Sequence, residues 1–259
     1  MANRTQYTPG TFSWVDLATP DQDGAKAFYT GLFGWEADDQ PVGDGVHYSM
    51  MNLAGAAVAA ISPQPQQQRD AGAPPAWNSY ITVESADAAL ARIQELSGTV
   101  HAPAFDVLDV GRMGVAQDPQ GAFFLVWEPR RHIGASLVNA PGALCWNELA
   151  SPDPQASAGF YGELFGWTTE RRTLNETEYL VLERPDGEQN GGIRPQNPGE
   201  PAHWVVYFGS QDVEADLTRV VELGGRRWIG PMEVFDGSFG VASDPQGAPF
   251  AVFAGHFDE

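Results

Sequence analysis

The chain has 259 residues, 42% of them hydrophobic, and carries 34 acidic against 14 basic side chains for a net charge of -20. That charge disfavours nucleic acid, anionic membranes and polyanionic ligands, because binding phosphate needs a positive surface. No apolar run is long enough to span a bilayer, the opening MANRTQYTPG has no apolar signal segment, and the single Cys145 permits no internal disulfide, so a cytoplasmic protein is expected.

Residues 12–18 alternate in polarity and end at Pro20-Asp21, where Asp21 can accept hydrogen bonds from the free amides of a helix start. Ala25, Phe28, Tyr29 and Leu32 follow at spacings of three and four, which predicts a helix with one buried stripe, stopped by Gly34 before Trp35. Short extended runs are expected near 47–53 and 56–61. The stretch SPQPQQQRDAGAPP, 62–75, has no apolar period and reads as an exposed connector. Trp77 to Val83 reads as a second strand and Ala86 to Leu96 as a second helix ending at Gly98. Asp118-Pro119-Gln120-Gly121 is a turn signal before a strand from Ala122 to Trp127. The order is β-α-β-β-β, twice.

The same segments then return. FSWVDLATPDQDGAKAFYTGLFGW, from Phe12, recurs as LCWNELASPDPQASAGFYGELFGW, from Leu144, and GVAQDPQGAFFLVW recurs as GVASDPQGAPFAVF. AWNSYITVESADAAL recurs more weakly as HWVVYFGSQDVEADL. A repeat of this length implies two copies of one unit. The predicted division is 8–129 and 143–257, with a linker at 130–142 and connectors near 62–75 and 194–202.

The strand ending in Thr-Pro-Asp, the helix carrying Phe-Tyr and Leu-Phe-Gly-Trp, and the late Asp-Pro-Gln-Gly turn resemble the vicinal oxygen chelate superfamily of glyoxalases, bleomycin-resistance proteins and extradiol dioxygenases. The resemblance implies an α+β fold of two tandem domains, four βαβββ modules whose curved mixed sheets form two cups. It is nearest to tandem proteins loosely named glyoxalase-like or hydroxylase in secondary metabolism.

Enzymes of that superfamily hold a divalent metal with His or Gln on first strands and Glu near module ends, ligands that polarise two vicinal oxygens. Carried over one at a time, the first-strand positions fall on Trp14, Asn78, Trp146 and Val205, and the late positions on Leu125 and Ala251. Only Asn78 has a donor atom, and a weak one, so the expectation is no metal and no cofactor. His47, His101, His132, His203 and His256 scatter over unrelated contexts.

Strand alternation would turn Trp14, Asp16, Asn78, Tyr80, Leu125 and Trp127 into the first cup. Trp146, Glu148, Val205, Tyr207, Ala251 and Phe253 would line the second. Two readings stay open: aromatic walls for a planar apolar ligand, or large side chains that fill the barrels as core. Asp16 and Glu148 share one register, and an inward carboxylate in poor solvent is a candidate acid or base, with Asn78, Tyr80 or Tyr207 as donors. His47-Tyr48 and Glu178-Tyr179 start equivalent strands at the cup rims. The more polar first cup is the expected active one. The function expected is binding of a small aromatic or polyketide-like metabolite, with metal-independent catalysis through Asp16 or Glu148 as the alternative and a metal-dependent glyoxalase or dioxygenase disfavoured. With four modules in one chain, a monomer or a homodimer fits.

Overall fold

A computed structural model describes residues 2–43, 45–174, 177–235 and 237–257. The N-terminal half opens with a two-residue strand, β1 (Ala2–Asn3), and continues through β2 (Phe12–Thr19), α1 (Gln22–Phe33), β3 (Glu36–Gly43), β4 (Val46–Leu53), β5 (Ala56–Pro63) and α2 (Gln66–Asp70). Then come β6 (Ala76–Thr82), α3 (Ala86–Glu95), β7 (Thr99–Val107), β8 (Gly111–Gln117) and β9 (Phe123–Pro129). After β10 (Leu137–Val138), the C-terminal half runs β11 (Leu144–Ser151), α4 (Pro154–Phe165), β12 (Thr168–Leu174), β13 (Thr177–Glu183), β14 (Gln189–Pro195), β15 (His203–Gly209), α5 (Val213–Glu222), β16 (Arg226–Val234), β17 (Gly237–Ser243) and β18 (Pro249–Gly255).

Each half forms one mixed eight-stranded sheet, ordered β3-β4-β5-β2-β6-β9-β8-β7 and β12-β13-β14-β11-β15-β18-β17-β16. The two modules of a half meet at its centre, where β2 pairs antiparallel with β6 and β11 with β15. The local signals act as expected: Asp21 and Asp153 accept hydrogen bonds from the amides of Gly24 and Ala156, both at 3.0 Å. Gly34 and Gly166 end their helices at φ of 73° and 75°, a conformation that costs glycine little.

The helices pack across the halves. On α1, Phe28 and Tyr29 pack against Phe250 of β18, while Phe160 and Tyr161 of α4 pack against Phe124 of β9. The recurring motifs lock together here. The Tyr29 hydroxyl receives a bond from the Trp77 indole at 3.0 Å and donates to Asp244 at 3.3 Å, in the Asp-Pro-Gln-Gly turn of the other half. Reciprocally, Trp204 donates to Tyr161 at 3.0 Å, and Tyr161 donates to Asp118 at 3.0 Å. The motifs therefore recur because each half uses them to hold the other.

One stretch departs from expectation: the connector begins only after β5 reaches Pro63, and it contains the short α2. The linker packs into the molecule, with Ala135, Leu137, Val138 and Ala140 buried and β10 paired with β1. No helix among the described residues is long and apolar enough to cross a membrane.

Candidate functional site

The residues that alternate away from the helices converge in two cups. In the first, Asp16 on β2 is buried and takes three hydrogen bonds: from Tyr80 at 2.7 Å, Asn78 at 2.8 Å and Tyr48 at 3.1 Å. Tyr48 in turn receives the Trp14 indole N–H at 2.9 Å. Burial raises the Asp16 pKa, and the bonds from Asn78, Tyr80 and Tyr48 oppose that rise without cancelling it. No arginine or lysine forms an ion pair with it among the described residues.

The first cup is filled by its own side chains. Trp14 is 3% exposed, Trp127 4% and Tyr80 6%. The linker closes it: Gly134 passes so near Ser13 that a side chain there would collide with the Ser13 carbonyl, and Ala135 donates to that carbonyl at 2.7 Å. This brings the His132 ring edge-on to Trp14, with centroids 4.5 Å apart, and to Trp127 at 5.8 Å. Its Nε2 is buried with no hydrogen-bond partner among the described residues, and burial pushes its pKa down to about 4. The core-filling reading of the sequence describes this cup, the one expected to be active.

A cavity lies in the second cup. It has a volume of about 490 Å³, and Trp146, Glu148, Tyr179, Tyr207, Phe239 and Phe253 are among its walls. Three exchanges at matched positions distinguish the two cups. Register places Leu125 beside Tyr80 but Ala251 beside Tyr207, and Ala60 beside Asp16 but Gly192 beside Glu148. Trp127 of β9 gives way to Phe253 of β18. Gly192 is required as glycine, because a Cβ there would lie 2.1 Å from the Tyr179 hydroxyl. Trp146 donates to that hydroxyl at 2.9 Å, the counterpart of Trp14 and Tyr48.

Glu148 differs from Asp16 in charge balance. It accepts Arg194 Nε at 2.8 Å, and the same guanidinium donates to Glu200 at 2.6 and 2.8 Å. Burial pushes the Glu200 carboxyl up, but the bonds from Arg194 and the Asn197 amide win and hold it down at about 2. Glu148 also raises the pKa values of Tyr179 and Tyr207, whose first cause is burial.

Of the residues picked from sequence, Trp14, Asp16, Asn78, Tyr80 and Trp127 come together in the first cup, and Trp146, Glu148, Tyr207 and Phe253 line the second cavity. His47 is a correction: it is exposed, because Tyr48, one residue on, takes the inward side of β4. Sequence reasoning passed over His132, Arg194, Arg4, Arg172 and Phe239. Arg194 stands two residues beyond the inward Gly192, and that offset was its signal.

A family profile described as Glyoxalase/Bleomycin resistance protein/Dioxygenase superfamily matches residues 11–126, and one described as Glyoxalase-like domain matches 146–253. A protein of Mycobacterium tuberculosis named as a glyoxylase, CFP32, is 45% identical over 255 residues, covering 97% of both chains. The chain belongs to this superfamily. The anthracycline biosynthesis protein DnrV of Streptomyces peucetius is 32% identical, over 96% of this chain and 94% of its own. Among solved structures, a Mn(II)-bound glyoxalase from Novosphingobium aromaticivorans superposes with a TM-score of 0.67 at 17% identity, over 95% of this chain and 82% of that one. The 2,3-dioxygenase LapB of Pseudomonas sp. KL28 gives 0.66 at 14% identity, over 98% and 96%. Both show the fold alone.

The superfamily's divalent metal does not fit the side chains present here. Its first-strand positions carry Trp14, Asn78, Trp146 and Val205, and the ladders place Ala60, Leu125, Gly192 and Ala251 at the four late positions. Indole and aliphatic groups offer no lone pair to a cation. Asn78 is already bonded to Asp16, and no three His, Cys, Asp or Glu side chains converge among the described residues.

Proposed function

We propose that the protein binds a planar aromatic or polyketide-like metabolite in its second cup, without a metal. The observation that carries this reading is the cavity of about 490 Å³ walled by Trp146, Tyr207, Phe239 and Phe253, a volume suited to a drug-sized ring system. Such rings stack on indole and phenol faces at offset geometry. The kinship with a protein named for anthracycline biosynthesis adds support. Acid-base catalysis is the weaker reading: Asp16 has the raised pKa but sits in the filled cup, whereas Glu148 faces the cavity but is bound to Arg194. The test rebuilds the first cup inside the second. Quenching of tryptophan fluorescence by 9,10-anthraquinone should saturate with the native protein. In Ala251→Leu/Phe253→Trp, affinity should fall about 100-fold, roughly 2.7 kcal/mol, with the melting temperature held or raised. Absence of saturable quenching in the native protein would overturn the proposal.

A further inference from the structure

Glu148 has more acceptor capacity than its neighbours fill. It lines the cavity, and its side chain keeps 11% of its surface exposed. Its counterpart Asp16 is capped by Tyr80, Tyr48 and Asn78, and Asn78 is its direct partner across the β2–β6 ladder. The matching ladder of the second half pairs Glu148 with Val205, which has no polar side-chain atom and packs with Tyr207 and Ala251. Arg194 does supply a donor, at 2.8 Å, but from β14, the strand on the opposite flank of β11 from β15. The side that the Asn78 amide covers on Asp16 therefore has no amide on Glu148.

Two more donors stand close by. Burial first, and the Glu148 charge after it, raises the Tyr179 and Tyr207 hydroxyls well above the usual phenol range, so both keep their protons and turn them toward the carboxylate. A carboxylate has about four acceptor positions, and Arg194 with the two phenols leaves about one of them to the cavity. The other donors beside it are engaged with the protein itself. The Trp146 indole donates to Tyr179, and Arg194 also donates to Glu200 and to the Pro195 carbonyl. What this patch offers a ligand is an acceptor.

We propose that Glu148 determines specificity in the second cup by accepting a hydrogen bond from a hydroxyl group on the bound ring system, the role that the Asn78 amide fills on Asp16. This deepens the binding reading given above and rests on it. Hydrogen bonds to an ionised acceptor are shorter and stronger than those between neutral groups, so one hydroxyl decides among ring systems of similar size. An ether of the same shape has no proton to give and leaves the acceptor unpaired in a dry wall, which is how a polar site rejects a near-isostere.

The experiment compares anthraquinone-2-methanol with its methyl ether by titration calorimetry on the full chain. The alcohol should bind the native protein about 10-fold more tightly than the ether. Two variants should each bring that ratio below about 2-fold. In Glu148→Gln the side-chain carbonyl stays with Arg194 and the amide turns a donor to the cavity, while Val205→Asn gives the second cup the donor that the first one has. The readout is a ratio within one protein, so a change in affinity common to both compounds cancels from it. Equal binding of alcohol and ether by the native protein, or a preference that survives in either variant, overturns this inference and leaves the aromatic-binding reading in place. Failure of both compounds to bind the native protein overturns both.

Discussion

At matched positions of the two sheets, Leu125 and Trp127 help to fill the first cup, while Ala251 and Phe253 stand in the second; Trp14 and Trp146 are the same side chain, and it is Trp14 that the His132 ring covers. The carboxylates differ in the same comparison. Asp16 is held by three neutral donors and no cation, whereas Glu148 is held by Arg194, itself anchored by Glu200. One frame has been used once as core and once as container. The lesson is that a shared frame fixes where side chains point, and the volumes at a few inward positions help to set whether anything else fits.

The largest effect that tests this contrast is on stability in the first half. Asp16→Ala leaves the Tyr48, Asn78 and Tyr80 donors without their acceptor in a packed interior, and should cost about 3 kcal/mol by urea denaturation. A loss below about 1 kcal/mol would mean that water reaches this cup and that it is not core.

An effect of similar size concerns pH. The folded His132 titrates at about 4, below the ordinary 6.5, so between those values the unfolded chain holds the extra proton. Stability should therefore fall as pH drops from about 6.5 to about 4, by on the order of 3 kcal/mol from this group. Asp16 acts in the opposite direction, because a raised carboxyl favours the fold once its acid form predominates. Thermal melts of the native protein and of His132→Leu across that range separate the two. The variant should lose the acid-side decline, and unchanged pH profiles would remove His132 from the packed interior.

The smallest effect is Glu148→Gln, expected at about 1 kcal/mol, because Arg194 keeps two bonds to Glu200 and is not left as a bare buried charge. A cost as large as that of Asp16→Ala would show that the second carboxylate also serves as a keystone of packing.

Much of this was legible in the chain. The recurring Phe-Tyr and Asp-Pro-Gln-Gly motifs announced the fold, and alternation turned Trp14, Asp16, Trp146 and Glu148 to the cups. The exposed edge strand β3, EADDQPVG, was not legible, because a strand wet along its whole length has no apolar period to betray it. Nor was the plug: His132 lies in a stretch with no periodicity, and only its path past Ser13 brings it onto Trp14.

The sequence by itself determined the two copies and the strand and helix order, since each follows from local pattern. Tertiary structure decided which cup is open, because that depends on volumes summed across strands distant in sequence. It also decided that each half's tyrosine locks the other half's turn, and that Arg194 reaches the second cup. Such contacts join residues with no regular spacing between them, so no periodicity in the chain encodes them.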